Sequence, residues 1–315
     1  MRILVTGGCG YVGSALVPEL LRASHKVIVI DAQWFGETLL PHDDLLVLKS
    51  DIRGNVNYDW LTDTDCIIHL AAVANDPCGE LDPKLTWEVN ALATHRLIDA
   101  AARAGVGQFI YASSGSVYGV KPDDVEVTED LPCEPLSEYN KTKMVAERVC
   151  LSYSKQMVVQ ILRPATVCGY SPRTRLDVAV NALTISALAR GEIKVFGGSQ
   201  IRPNLHITDM VRAYLHFLMC PGLTGIYNVG FENHSLFGLA SVVKAECGGE
   251  INVVPSADDA RSYRLDSSKL LATGFSPHSC VANAIQELKL SWRDGRLKDT
   301  DNGYNIRTMQ NALVA

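Results

Sequence analysis

The stretch that decides the fold is Arg2 to Gly13, RILVTGGCGYVG. It opens with an apolar run, Ile3-Leu4-Val5, long enough for one buried strand, and runs into Gly7, Gly10 and Gly13. The segment from Tyr11 to Ala23 then has the apolar spacing of an amphipathic helix. Strand, glycine turn and helix in that order form the context in which a dinucleotide diphosphate binds. Gly7 suits the tight turn, Gly10 the close approach of backbone to phosphate, and Gly13 the close packing of helix on sheet. The helix N-terminus adds unpaired N–H groups and a partial positive charge. Such a glycine spacing is a weak signal alone, and Asp31 strengthens it. A second apolar run, Val27-Ile28-Val29-Ile30, ends in that residue, 18 positions past Gly13. A carboxylate there accepts hydrogen bonds from a ribose 2′-hydroxyl and repels a 2′-phosphate, which favours NAD over NADP.

Farther along, Leu45–Leu48 reads as a third strand ending near Asp51-Ile52, and Asp65–Leu70 as a fourth, followed by the small pair Ala71-Ala72. Pro83–Ala104 has the pattern of one long amphipathic helix containing Asn90. Phe109–Ala112 is a fifth strand ending in Ser113-Ser114, and a helix over Tyr139–Tyr153 precedes a strand over Val158–Leu162. This alternation predicts an α/β fold with a doubly wound, mostly parallel sheet. Right-handed crossovers gather the strand C-termini on one edge, where ligands bind. Gly7, Asp31, Ala71 and Ser114 should therefore converge.

From about Pro164 the alternation loosens. Helices are expected over Val178–Arg190, Thr208–Met219 and Ser235–Cys247, with short strands at Lys194-Val195, Tyr227-Asn228 and Ile251–Val254. The expected division is a cofactor-binding domain over 1–165 and a smaller substrate domain over 166–315, with parts of 200–235 rejoining the first. The polar tail after Trp292 is expected to fray.

The 315 residues suit this size of fold, and 47% apolar content supports a sizeable core. A net charge of −6 gives no reason to expect a nucleic-acid surface, and no apolar run reaches the length of a membrane span. Nine cysteines form no C-x-x-C pair and no zinc spacing, so reduced buried thiols and no metal are expected. The chain begins directly on strand residues, so no leader peptide is expected and the protein is placed in the cytoplasm.

Tyr139 and Lys143 sit four residues apart in YNKTK, on one face of a helix. A nearby ammonium lowers a phenol's pKa and makes it a usable proton shuttle. The pattern alone is common on solvated helices. Ser114, a strand-end hydroxyl on the ligand edge, gives it weight by reaching for the same substrate oxygen.

On these residues, the chain resembles the extended short-chain dehydrogenase/reductase family, in its NAD-dependent nucleotide-sugar epimerase/dehydratase branch. The matching motifs are TGGCGYVG at the start, Asp31, Asp51-Ile52, HLAA at 69–72, Asn90, SSGSVYG at 113–119, YNKTK at 139–143, RPATVCG at 163–169, IRPNLHITDM at 201–210 and RSYRLDSSK at 261–269. The resemblance implies a Rossmann-type domain with a smaller C-terminal α/β substrate domain, a tightly held NAD, and a catalytic set of Ser114, Tyr139 and Lys143. Its implied cofactor contacts are Gly7, Gly10, Tyr11, Val12, Gly13, Asp31, Asp51, Ile52, Leu70, Ala71, Ala72, Asn90, Ser113, Tyr139, Lys143, Pro164 and Val167. Its implied substrate contacts are Ser114, Ser116, Thr166, Asn181, Arg202 and Arg261. Arg173 and Arg175 are further candidates for phosphate or sugar. His69 and His206, in apolar strand-like contexts, read as core residues rather than bases. A homodimer through the 83–104 and 139–153 helices is also implied.

The chain departs from the family pattern at three places. Thr166 stands where many epimerases have asparagine, and NDPCGEL at 75–81 carries no clear sugar signature. Gly115-Ser116 replaces the Asp-Glu pair that the family's dehydratases place after the catalytic Ser or Thr, although Asp76 or Glu80 could reach the pocket in the fold. The expected function is an NAD-dependent nucleotide-sugar epimerase working through a transient keto sugar, and not a 4,6-dehydratase. The alternative is an NAD(P)H-dependent reductase or dehydrogenase of a keto nucleotide sugar. The intact Ser–Tyr–Lys set argues against a non-catalytic NAD-binding regulator.

Overall fold

The computed structural model describes residues 1–122, 125–255 and 262–314. Its main sheet has seven strands: β1 (Arg2–Thr6), β2 (Lys26–Asp31), β3 (Leu45–Lys49), β4 (Cys66–His69), β5 (Gln108–Ala112), β6 (Val158–Pro164) and β7 (Gly225–Val229). All pair in parallel, in the order β7-β6-β5-β4-β1-β2-β3. The chain changes direction across the sheet between β1 and β4, the switch point outside which α/β sheets take their ligands.

Strand periodicity divides the apolar residues between two covered faces. Ile3, Val5, Val29, Ile68 and Leu162 pack beneath helix α1 (Gly13–Arg22) and the Ile207–Met219 helix, which contribute Leu16, Leu20, Tyr214 and Phe217. Their neighbours Leu4, Ile28, Ile67, Phe109 and Ile161 pack on the other face with Leu97 and Ile98 of the Thr94–Ala104 helix and Cys150 of the Glu138–Ser152 helix. Strands covered on both faces read as unbroken apolar runs. Each such buried side chain contributes roughly 1.5–3 kcal/mol.

The helix expected over Pro83–Ala104 is interrupted. An α turn at Pro83–Trp87 passes into a π segment at Glu88–Ala93 and then into Thr94–Ala104, which stops at Gly105 with φ 78°. A 3.6-residue apolar period does not reveal one wider turn, and that turn carries Asn90 into the interior.

The second half builds smaller sheets. The strand Ile201–His206 lies between Thr166–Cys168, to which it is parallel, and Glu232–Ser235, to which it is antiparallel. Glu192–Phe196 pairs with Glu250–Val254. Val180, Leu183, Leu239, Val243 and Ile285 form a separate core from three helices. The Ile207–Met219 helix and β7 return to the main sheet.

The tail departs from expectation. Residues Asn305–Val314 form a helix whose Met309, 1% exposed, packs with Val73, Cys78 and Leu85. Ile306 and Met309, three apart, make one short apolar face, too brief to stand out in a polar segment. No helix among the described residues is long and apolar enough to cross a membrane.

Candidate active site

A cleft of about 1060 Å³ opens over the C-terminal edge of the main sheet, walled by both halves of the chain. Its floor begins at the glycine turn. Gly7 has φ +74°, and a Cβ there would come 2.6 Å from the Ala71 nitrogen; one on Gly13 would lie 2.5 Å from the Gly7 carbonyl oxygen. Only side-chain-free residues let β1, β4 and α1 approach this closely. Asp31 ends β2 on the same edge, where the N–H groups of Cys9 and Gln33 donate to its carboxylate at 2.9 and 2.7 Å. Burial raises its pKa and those two N–H groups oppose the rise. A bare turn, a helix N-terminus and a carboxylate past the second strand fit NAD.

Gly10, Tyr11, Val12, Asp51, Ile52, Leu70, Ala71, Ala72, Ser113, Pro164 and Val167 also line the cleft, as do Ser114, Ser116, Tyr139, Lys143, Thr166, Arg173, Arg175 and Arg202. Two expected contacts do not. The Asn90 amide is occupied by the Val73 N–H and carbonyl, at 2.8 and 3.0 Å, and by Thr142. Asn181 accepts from the Gly169 N–H at 3.0 Å and donates to the Arg175 carbonyl at 2.8 Å. Both amides shape the walls by fixing backbone and have no group turned to the cleft. The phenol of Tyr11 is likewise engaged, donating to the Gly169 carbonyl at 2.7 Å and so joining the two halves. Arg261 lies outside the described residues.

Ser114, Tyr139 and Lys143 meet at the end of β5. The Ser114 and Ser116 hydroxyls are 2.7 Å apart, and Ser116 in turn donates to Asn140. Ser137 caps the helix that carries Tyr139, its hydroxyl accepting from the Asn140 N–H at 3.2 Å. Lys143, one turn on, donates to the Ala112 carbonyl at 2.8 Å, and burial takes its pKa down to about 8. Burial pushes the Tyr139 phenol up, while the Ser114 hydroxyl and the charge on Arg175 pull it back. Helical spacing alone assigns that lowering to Lys143. In the fold its ammonium sits 5.9 Å from the centre of the Tyr139 ring, and Arg175 supplies a further positive charge that lowers the phenol. Nothing local could show this, since Arg175 arrives from the other half of the chain. Paired hydroxyls beside a cation are suited to moving a proton on and off a carbinol oxygen.

Beneath this corner lies a buried ion pair to which the motifs containing Arg163 and Tyr118 gave no role. Arg163 at the end of β6 makes two bonds to Glu147, at 2.8 and 2.6 Å, and donates to the Tyr118 hydroxyl at 2.7 Å. Ser113 donates to the same carboxylate. The sequence signal for its acidic partner is the spacing of Glu147, four residues past Lys143 on the same buried helix face.

His69 lies between the Thr6 and Thr94 hydroxyls at 2.5 and 2.8 Å, and burial lowers its pKa to about 3, so it stays neutral. His206 caps the Ile207–Met219 helix, its Nδ1 accepting from the Thr208 N–H. Asp76 lines the cleft and accepts from Ser137 at 2.6 Å, whereas Glu80 lies outside it and accepts from the Glu138 N–H. Asp177 is held by Arg175 at 2.8 Å and Asn75 at 3.0 Å. Among the described residues, no group of three or more His, Cys, Asp or Glu is placed to hold a metal ion.

Residues 3–230 match the model of a family described as the NAD dependent epimerase/dehydratase family. An uncharacterised UDP-glucose epimerase of Bacillus subtilis (strain 168) is 33% identical over 262 residues, 78% of this chain and 81% of that protein. UDP-glucuronic acid decarboxylase 1 of Xenopus tropicalis is 30% identical over 293 residues, 88% of this chain and 68% of that protein. Other relatives include a dTDP-glucose 4,6-dehydratase. Among solved structures, the UDP-glucuronic acid 4-epimerase from Bacillus cereus, in complex with UDP-glucuronic acid and NAD, superposes with a TM-score of 0.82 at 27% identity, covering 93% of this chain and 99% of that one. With a parallel sheet, glycine turn and terminal carboxylate of the matching kind, the chain belongs to the NAD-dependent epimerase/dehydratase family and is an NAD-dependent enzyme.

Proposed function

We propose that this enzyme epimerises a nucleotide sugar through a transient keto sugar. The observation that carries the reading is the convergence of the Ser114 and Tyr139 hydroxyls, with Arg175 acting on the phenol, in the cleft that also holds the glycine turn and Asp31. Tyr139 takes the proton of a sugar hydroxyl as that carbon becomes a carbonyl, and later returns it. Ser114 hydrogen-bonds the same oxygen. NAD, when bound, would supply the hydride acceptor for the oxidation and the hydride donor for the return. Lys143 is assigned to the cofactor's ribose, and Arg202, with Arg261 by resemblance, to the substrate's diphosphate, for which guanidinium forks are suited. Residues 1–165, joined by the Ile207–Met219 helix and β7, hold the cofactor, and the rest of 166–315 the sugar nucleotide.

Dehydration needs an acid for the leaving hydroxyl and a base for the C5 proton. Gly115-Ser116 supplies neither, the Asp76 carboxylate accepts from Ser137, and Asp177 is bound to Arg175. Incubation with NAD and a panel of UDP-, dTDP-, CDP- and GDP-hexoses and UDP-uronic acids, read by mass spectrometry, is expected to give an isobaric product of altered retention. A product lighter by water or by carbon dioxide would replace the reading with elimination or decarboxylation. A strict need for added NADPH would replace it with a reductase.

The homodimer belongs to the same proposal. The Thr94–Ala104 and Glu138–Ser152 helices lie side by side, with Tyr153 donating to Asp99 at 3.1 Å, and Leu92 beside them is 54% exposed. Light scattering at micromolar concentration is expected to return twice the chain mass; a monomer would remove it.

A further inference from the structure

Arg173 lines the cleft, and the epimerisation chemistry gives it no task. It lies between the strand Thr166–Cys168 and the helix Ala179–Arg190, on a loop bound to the cofactor half. The Ser171 hydroxyl donates to the Tyr11 carbonyl at 2.8 Å, and the Arg173 N–H to the Ser14 hydroxyl, in the first turn of α1, at 3.3 Å. The guanidinium stacks 3.6 Å from the centre of the Phe35 ring, and one nitrogen donates to the side chain of Asn305 at 2.5 Å. Phe35 follows β2, and Asn305 opens the last helix.

The residue is 3% exposed, and its Nε has no hydrogen-bond partner among the described residues. Its one side-chain partner is a neutral amide. Burial pulls its pKa down to about 9 and the like charge on Arg175 adds to the fall, while the charge on Asp177, which is itself bonded to Arg175, opposes it. A buried cation with a neutral partner and a free donor is a costly arrangement unless an anion completes it. The cleft it lines receives a ligand with a diphosphate, at the helix N-terminus whose first turn Arg173 touches.

We propose that Arg173 is the anion hook for the cofactor's diphosphate, holding it against the N-terminus of α1 from the opposite wall, with Phe35 and Asn305 positioning the guanidinium. The substrate would bring the same chemical group. The attachment to Ser14 and the stacking on Phe35, both on the glycine-turn side, favour the cofactor. The inference rests on NAD as the cofactor and not on epimerisation. A hook of this kind keeps NAD in place between turnovers, as a reaction that returns its hydride requires.

The test is Arg173→Gln in the full chain, with three readouts: the NAD dissociation rate, the affinity for UDP, and melting temperatures with and without NAD. Loss of a charge-assisted bond to phosphate is expected to speed NAD release about 10- to 100-fold. UDP affinity should stay within about twofold. The NAD-free melting temperature should change little, since no ion pair within bonding distance is lost, while the rise on adding NAD should shrink. Wild-type NAD release overturns the proposal. So does weakened UDP binding with NAD unchanged, which would assign the hook to the substrate. An equal fall in both melting temperatures, with NAD release unchanged, would make Arg173 a structural strut. Should the glutamine variant fail to fold, Arg173→Lys keeps the charge and loses the fork. Faster NAD release is expected from it too, and wild-type release overturns the proposal.

Discussion

Tyr139→Phe is expected to lower turnover by about 100- to 10,000-fold while NAD remains bound. The substitution keeps the ring and removes the phenolic oxygen that the Ser114 hydroxyl meets. The phenol is buried, and its tendency to hold its proton is opposed by the Ser114 hydroxyl and the Arg175 charge. Removing the oxygen leaves Ser114 without the partner that moves a proton, since a serine hydroxyl does not titrate near neutral pH. His69, the nearest alternative by sequence, is locked neutral between two threonines. Turnover within tenfold of wild type in a cofactor-loaded variant would show that another group carries the proton.

Glu147→Ala should cost about 3–5 kcal/mol of stability, the range for breaking a buried ion pair on one side only. The side chains of Arg163 and Glu147 are 4% and 3% exposed, so the stranded guanidinium cannot recover its hydration. Tyr118 would remain as its neutral partner, and Ser113 would lose its acceptor beside Ser114. The double variant Glu147→Leu/Arg163→Met, which leaves no orphan charge, should recover much of the loss. Urea unfolding of the three proteins checks this, and a single-variant loss below about 1 kcal/mol would mean that water reaches the pair. The exposed pair Arg22–Glu19, with side chains 67% and 39% exposed, should contribute little by comparison.

The half of the chain that builds most of the main sheet was legible in the sequence because its signals are local. Ile3-Leu4-Val5 and Val27-Ile28-Val29-Ile30 are runs that only a doubly covered sheet makes sense of. Gly7 and Gly13 sit where backbone geometry dictates, and Asp31 where the second strand ends, within one strand–turn–helix–strand unit. Tyr139 and Lys143 were legible for the same reason, being one helical turn apart.

What the tertiary structure decided concerns residues far apart in the chain. Asn75 reaches Asp177 across 102 residues, and Arg173 reaches Asn305 across 132. The charge that Arg175 brings to the Tyr139 phenol, the retreat of Asn90 and Asn181 into backbone support, and the packing of the last helix over Val73 and Cys78 are all of this kind. Periodicity reports which side of an element will be buried. It carries no information about which distant element will bury it, because that choice is made by the summed packing of the whole chain, and with it the surroundings that set each polar group's partner and charge.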